Sequence, residues 1–127
     1  MAKKVIYTPK VAKSSLPLSQ ATMAGNILFV SGAVSNNASG EIIGKGDIRA
    51  QTRQVLENIK ATVEAAGGTL QDVTRTTVYI TDVASAPGMN EVYRTYFPTD
   101  PPARATVRAD LTHPDFLVEI EAIAVIG

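Results

Sequence analysis

Three charged residues near the C-terminal end lie in stretches whose pattern predicts β-strands. Arg104 follows Pro-Pro-Ala, and Glu119 and Glu121 interrupt an otherwise apolar run. A charged side chain in a half-buried strand costs free energy unless it is paired. One interpretation is therefore an ion pair between the arginine and a glutamate on neighbouring strands. In the other, Arg104 binds a substrate carboxylate through two parallel N–H donors while a glutamate positions water. The spacing is compatible with both.

Other common catalytic chemistries find little support in the residues. The chain has no cysteine and one histidine, His113, in a Thr-His-Pro-Asp context typical of a turn. A thiol nucleophile, a disulfide framework and a Cys-ligated zinc site are thereby excluded, and His113 beside Asp110 and Asp115 is a poor metal site. The glycines match neither a dinucleotide-binding nor a Walker pattern. We therefore expect neither a metal nor a cofactor.

The composition fits one domain, residues 1–127. Twelve lysine and arginine residues balance twelve aspartate and glutamate residues, so the chain offers no positive field to nucleic acid or to an anionic membrane. No apolar stretch approaches the roughly 20 residues that span a bilayer. The first residues lack the apolar segment of a signal peptide. Together with the absence of cysteine, these features predict a soluble, cytoplasmic protein with neither nucleic acid nor a membrane as partner.

Two amphipathic helices are predicted from apolar residues spaced three and four apart. The first begins after Asp47, the predicted N-cap, and ends at Gly67-Gly68. The second begins at Ser85, which we expect to cap it, with Pro87 in the first turn, and ends before Pro98. Its apolar stripe consists of Met89, Val92, Tyr93, Tyr96 and Phe97.

The strands are predicted from short apolar or alternating stretches. Residues 27–30 indicate a strand buried on both faces, and Ile42 and Ile43 a short return strand. The Pro-containing stretch before residue 27 gives no strand prediction. Further strands are predicted at 73–81, 103–109 and 117–126. In the last of these, which should be central in the sheet, Glu119 and Glu121 share one face.

This order of elements predicts an α+β domain in which two helices cover one face of a mixed sheet. No element remains in the chain to cover the other face. A small domain of this kind is expected to bury that face against copies of itself. A homo-oligomer is therefore predicted.

Several segments, in shared order and spacing over nearly the whole chain, resemble the RidA/YjgF family of enamine and imine deaminases. They include Pro17-Leu18-Ser19-Gln20-Ala21, Val30-Ser31-Gly32, Gln51-Thr52-Arg53-Gln54, Asn90-Glu91-Val92-Tyr93, Pro102-Ala103-Arg104 and Val118-Glu119-Ile120-Glu121-Ala122. The resemblance implies a chorismate-mutase-like α+β fold. It also implies a homotrimer around a central barrel, with clefts between subunits.

The resemblance further implies a cofactor-independent hydrolysis of 2-enamino and 2-imino acids, such as 2-aminoacrylate, to 2-keto acids and ammonia. In active family members, the arginine matching Arg104 binds the substrate carboxylate. The glutamate matching Glu119 is associated with the water that adds to the imine carbon, and Ser31 lines the pocket. Asn90 is a weaker match for substrate binding, and Glu121 is interpreted as structural.

Two positions in the implied substrate pocket depart from the family pattern. Leu18 replaces a tyrosine that is common among the deaminases, and Thr106 replaces a common cysteine. Leu18 removes a phenol near the reacting centre, and Thr106 keeps a hydroxyl but no thiol. These changes are compatible with an imine from a catabolic pathway, such as aminomuconate or 3-aminoacrylate. The alternative is a non-catalytic trimer that binds small carboxylates or a protein. The neutral net charge argues against a ribonuclease.

Overall fold

One six-stranded mixed sheet carries two α-helices on the same face in the computed structural model, which describes residues 2–127. The strands are β1 (Lys4–Ile6), β2 (Ala21–Ala24), β3 (Ile27–Ala33), β4 (Val73–Ile80), β5 (Ala103–Arg108) and β6 (Val118–Val125). The helices are α1 (Ile48–Ala65) and α2 (Ala86–Tyr96). The strand order is β1-β2-β3-β6-β4-β5, with β4 and β5 parallel and the other neighbours antiparallel. The predicted chorismate-mutase-like α+β fold, with two helices on one face, is confirmed.

The last strand, β6, is central and alternates strictly, as predicted. Val118 and Ile120 are fully buried under the helices, and Ala122 and Ala124 continue the same face. The opposite face, which carries Glu119, is here called the open face. Because successive side chains of a strand point to opposite sides, the alternation alone separates the apolar core from these carboxylates.

Helix α1 supplies the centre of the core. Its side chains Val55, Leu56, Ile59 and Val63 are completely buried, and burial of each contributes about 1.5–3 kcal/mol relative to exposure. Asp47 is extended and its carboxylate accepts a hydrogen bond from the N–H of Ala50 at 3.1 Å. The predicted N-cap is confirmed.

The start of α2 differs from the prediction. Ser85 has a helical backbone (φ −79°, ψ −13°) and makes no capping hydrogen bond, because a cap side chain reaches back to the first turn only from an extended residue. A 3₁₀ turn, Val83–Ser85, precedes the helix, and Asp82 caps that turn by accepting from the N–H of Ala84 at 2.9 Å. Pro87 lies in the first turn of α2, as predicted.

Two strand predictions are corrected as well. Strand β3 is not buried on both faces, since Ile27 and Phe29 are 39% and 44% exposed on the open face. Ile42 forms only an isolated bridge with Asn36, not a return strand. The sequence also missed β1 and β2, which have three and four residues and show no clear alternation.

The open face carries exposed apolar side chains, although no helix or strand among residues 2–127 covers it. Ile27, Phe29, Val107 and Val125 are each 39–44% exposed, and the registers of β3, β5 and β6 place all four on this face. Ile27, Phe29 and Val125 are neighbours on β3 and β6, whereas Val107 lies two strands away from β6 on β5. Adjacent apolar side chains in contact with water are typical of a surface that binds another protein. Within residues 2–127, neither helix has the length and apolar character to cross a bilayer.

Candidate active site

Arg104 lies on the helix-covered side of the sheet. It pairs with Thr76 of β4, which is completely buried under α2, and residues paired across strands share a face. Its guanidinium carbon is 4.7 Å from the ring centroid of Tyr93 in α2. Arg104 forms no ion pair within residues 2–127. The interpretation of an arginine–glutamate ion pair between strands is therefore wrong.

Glu119 lies on the open face. It pairs with Tyr79 of β4, and Glu121 pairs with Thr77 on the same side. Within one chain, Arg104 and Glu119 therefore belong to two different clefts.

Cleft A, of about 600 Å³, lies between the segment 11–18, the end of β3 and Glu119. It contains three of the residues that the sequence pointed to, Leu18, Ser31 and Glu119. Leu18 is 52% exposed and presents its apolar side chain to this cleft. Cleft A can thus offer a carboxylate and an apolar wall to a small molecule.

A β-bulge shapes the floor of cleft A. The register of β3 against β6 shifts between Val30 and Ala33, so Ser31 and Gly32 lie in the irregular part of the strand. A Cβ atom at Gly32 would be 2.8 Å from the carboxyl carbon of Glu119, which is closer than real Cβ contacts. Glycine at this position is what allows the Glu119 carboxylate to lie against the backbone of β3.

Ser31 holds the segment that carries Leu18. Its hydroxyl donates to the carbonyl of Ser19 at 2.6 Å, and its N–H donates to the carbonyl of Gln20 at 3.0 Å. The hydroxyl oxygen keeps lone pairs with which it can accept a further hydrogen bond. Ser31 therefore positions the wall of cleft A and can also contact a ligand there.

The environment of Glu119 favours its protonated form. Burial raises the pKa of this carboxyl, and the negative charge of Glu121 raises it further. The phenol of Tyr79 donates a hydrogen bond to Glu121, and this bond is the main reason why the pKa of Tyr79 is raised. A carboxyl group with a raised pKa holds a transferred proton more readily than an ordinary glutamate, which suits it to general acid–base chemistry.

Cleft B, of about 360 Å³, lies between α2 and the Pro101-Pro102 turn that leads into β5. Arg104 and Asn90 line it together with Tyr93. The sequence prediction assigned Tyr93 only to the apolar stripe of the helix. Its spacing of three residues from Asn90, which puts both on one helix face, is the signal that could have found it.

The remaining candidate residues lie outside both clefts. Thr106 is on the same side of β5 as Arg104 but lines neither cleft, and its side chain is exposed. His113 lies in a turn-rich loop, where its Nδ1 accepts from the N–H of Asp115 at 3.0 Å. Across residues 2–127, no group of three or more histidine, cysteine, aspartate and glutamate side chains is arranged to hold a metal ion.

Comparison with known proteins gives matches over nearly the full length. The sequence model of a family described as endoribonuclease L-PSP matches residues 9–126. A RutC family protein of Pyrococcus horikoshii is 51% identical over 123 residues, which are 96% of this chain and 97% of that protein. The structure of RidA from the Antarctic bacterium Psychrobacter sp. PAMC 21119 has a TM-score of 0.90 at 36% identity, covering 97% of this chain and 99% of that one. The YjgF gene product from E. coli gives 0.89 at 36% identity, with coverages of 96% and 98%.

Proposed function

Because the chain belongs to the RidA/YjgF family, we propose that it hydrolyses reactive 2-enamino and 2-imino acids to 2-keto acids and ammonia. The observation that carries this proposal is the pairing of two clefts with complementary chemistry. Cleft B contains an arginine without an ion-pair partner among residues 2–127, and cleft A contains a glutamate with a raised pKa.

Arg104 binds the substrate carboxylate in this proposal. A guanidinium group offers a planar fork of N–H donors that matches the two oxygens of a carboxylate. Asn90 lines the same cleft and can add a hydrogen bond to the carboxylate or to the imine nitrogen. The carboxylate common to all 2-imino acids is thus the group that is recognised.

Glu119 acts as the general base and then as the general acid. The enamine first tautomerises to the imine, whose C2 is electrophilic. Water adds its oxygen to C2 while Glu119 accepts a proton from it. Glu119 then returns the proton to nitrogen, which gives the carbinolamine. Glu119 next takes the proton of the carbinolamine hydroxyl and passes it to nitrogen, so that the C=O bond of the 2-keto acid forms as the C–N bond breaks and ammonia leaves. General acid–base catalysis of this type contributes about 10²–10⁴-fold, and no cofactor is needed.

A complete site requires two copies of the chain, because Arg104 and Glu119 lie on opposite faces of the sheet. We place the substrate between cleft B of one copy and cleft A of its neighbour in a homotrimer. The exposed apolar residues of the open face support this assembly, since burying them between copies removes apolar surface from water. Ser31 and Leu18 form the wall of the site, and Thr106 lies on the strand that approaches the neighbour.

The test is a coupled assay. A pyridoxal-phosphate-dependent dehydratase generates 2-aminoacrylate from serine, and pyruvate formation is followed with and without the purified protein. The proposal predicts faster pyruvate release without any added cofactor, and the catabolic imines aminomuconate and 3-aminoacrylate are tested in parallel. If no small imino or enamino acid is hydrolysed faster, the carboxylate-binding trimer is favoured.

A ribonuclease activity, as in the description of the matching family, is the other alternative. Cleavage of labelled RNA without hydrolysis of imines would favour it, although the zero net charge of the chain argues against RNA binding. A cytoplasmic location stays a prediction.

A further inference from the structure

Tyr93 provides a flat surface against which the guanidinium of Arg104 lies. The tyrosine is only 5% exposed, and the guanidinium carbon of Arg104 is 4.7 Å from its ring centroid. This distance is within the range in which the negative face of an aromatic ring attracts a cation.

The orientation of the Tyr93 ring is fixed from two sides. Its hydroxyl is 2.6 Å from the hydroxyl oxygen of Thr76, a residue with no exposed surface. The ring of Phe97 packs with its centroid 4.7 Å away, at an interplanar angle of 42°. Thr76 is also the strand partner of Arg104. The three residues therefore contact one another in a ring. Thr76 on β4 hydrogen-bonds the hydroxyl of Tyr93, the Tyr93 ring contacts the guanidinium of Arg104, and Arg104 pairs with Thr76 across the strands.

This arrangement leaves the part of Arg104 that binds carboxylates free. The contact with the ring, at 4.7 Å from the guanidinium carbon to the centroid, uses the positive charge of the group and none of its N–H donors as hydrogen bonds to a carboxylate would. No ion pair within the described chain, residues 2–127, uses those donors. An arginine side chain without such a contact loses considerable rotamer entropy when it binds a ligand. The contact with Tyr93 restricts the side chain beforehand and so lowers this entropic cost of binding.

We propose that Tyr93 is a positioning residue, which holds the guanidinium of Arg104 in the orientation that binds the substrate carboxylate. The inference rests on the proposed function, because it adds to the role assigned there to Arg104. The positive charge of Arg104 also acts on Tyr93: burial raises the pKa of the phenol, and the bond with Thr76 and the charge of Arg104 oppose that rise.

The experiment compares Tyr93→Met with Tyr93→Phe and with the matched control Tyr96→Met, which changes a tyrosine on the same helix outside cleft B. Pyruvate binding is measured by calorimetry, and kcat and KM are measured for imine hydrolysis. Because the carboxylate is held in the ground state and in the transition state alike, Tyr93→Met should raise KM and the pyruvate Kd by roughly 3- to 10-fold with little change in kcat. Tyr93→Phe keeps the ring face and should stay within about 2-fold of the wild type. Tyr96→Met should leave both constants unchanged.

The decisive comparison repeats Tyr93→Met in an Arg104→Ala background. A residue that acts through Arg104 has no further effect on KM there, whereas an equal fold-change in both backgrounds would overturn the positioning role.

If Tyr93→Met does not fold, NMR of the wild type tests the positioning role instead. Side-chain protons of Arg104 should keep an upfield ring-current shift when pyruvate is bound, and random-coil shifts in that complex would overturn the role. Imine hydrolysis with an unchanged KM in Tyr93→Met refutes the positioning role alone, whereas a wild type that neither binds pyruvate nor hydrolyses imines refutes the proposed function as well.

Discussion

Arg104 and Glu119 point to opposite faces of one sheet, with strand β4 between the strands that carry them. The partner of Arg104 on β4 is Thr76 and the partner of Glu119 is Tyr79, three residues further along. An odd separation along a strand reverses the face. The two charged groups that the sequence singles out are thus kept apart within one chain. The proposed site brings them together between two copies of the chain.

Replacing Arg104 by alanine should abolish most of the activity and leave the fold intact. The charge-assisted hydrogen bonds to the carboxylate are lost, so kcat/KM should fall by about 10²-fold or more. Arg108→Ala is the matched control, because Arg108 is an exposed arginine on the same side of β5. It should keep wild-type kinetics. Dissociation of Arg104→Ala into monomers in sedimentation would instead assign Arg104 a structural role in the assembly.

Glu119→Gln should be nearly inactive but more stable at neutral pH. The pKa of Glu119 is raised in the folded protein, so folding favours the protonated carboxyl and the ionised form destabilises the fold. That penalty is absent below the ordinary pKa of glutamate and appears as the pH rises through the raised value. Glutamine removes it, with a gain below about 1 kcal/mol because the carboxylate stays partly solvated. Urea unfolding at one protein concentration should show the gain at pH 7 and none at pH 3.

Glu121→Gln should shift the pH dependence of the reaction. The charge of Glu121 contributes to the raised pKa of Glu119, so its removal lowers that pKa. If ionised Glu119 is the base, the acidic limb of the kcat/KM profile moves to lower pH. Glu64→Gln changes an exposed glutamate on α1, across the sheet from Glu119, and should leave the limb in place. An unmoved limb in Glu121→Gln would remove Glu119 as the titrating group.

Gly32→Ala should lower kcat by displacing the carboxylate of Glu119, the proposed general base. The added methyl group would overlap the carboxyl group of Glu119, which is the flexible partner and has to move. A loss of about 10-fold in kcat with little change in melting temperature is expected, because a displaced general base loses its geometry. In a Glu119→Gln background the same substitution should have no further effect on kcat. An additional loss there would mean that Gly32 acts independently of Glu119.

The regular elements of the fold were largely predictable from periodicity, and the irregular ones were not. Helix α1 and strands β4 and β6 are long enough for an apolar period to be recognised. The apolar run at 27–30 predicted burial on both faces, yet Phe29 is exposed in the single chain. In the proposed trimer another copy would cover that face, which accounts for the apolar residues of the run. Strands as short as β1 and β2 contain too few residues to show a period.

Which residues belong to the proposed site was more predictable than how the fold arranges them. The resemblance pointed to Arg104 and Glu119, but their separation depends on the strand order and on the register of β4 with two neighbours, which no local pattern contains. Tyr93 was assigned to the core because an aromatic residue at helical spacing usually belongs there. Its contact with Arg104 becomes visible only when α2 is packed on the sheet.

Subunit complementation tests the two-copy site most directly. The inactive variants Arg104→Ala and Glu119→Gln are unfolded together in equal amounts, refolded, and assayed for imine hydrolysis. If the site takes Arg104 from one copy and Glu119 from its neighbour, random mixing restores both residues in about a quarter of the sites, and activity returns to about that fraction of the wild type. Each variant refolded alone serves as the control. A mixture that contains mixed oligomers but stays as inactive as its parents would contradict the account.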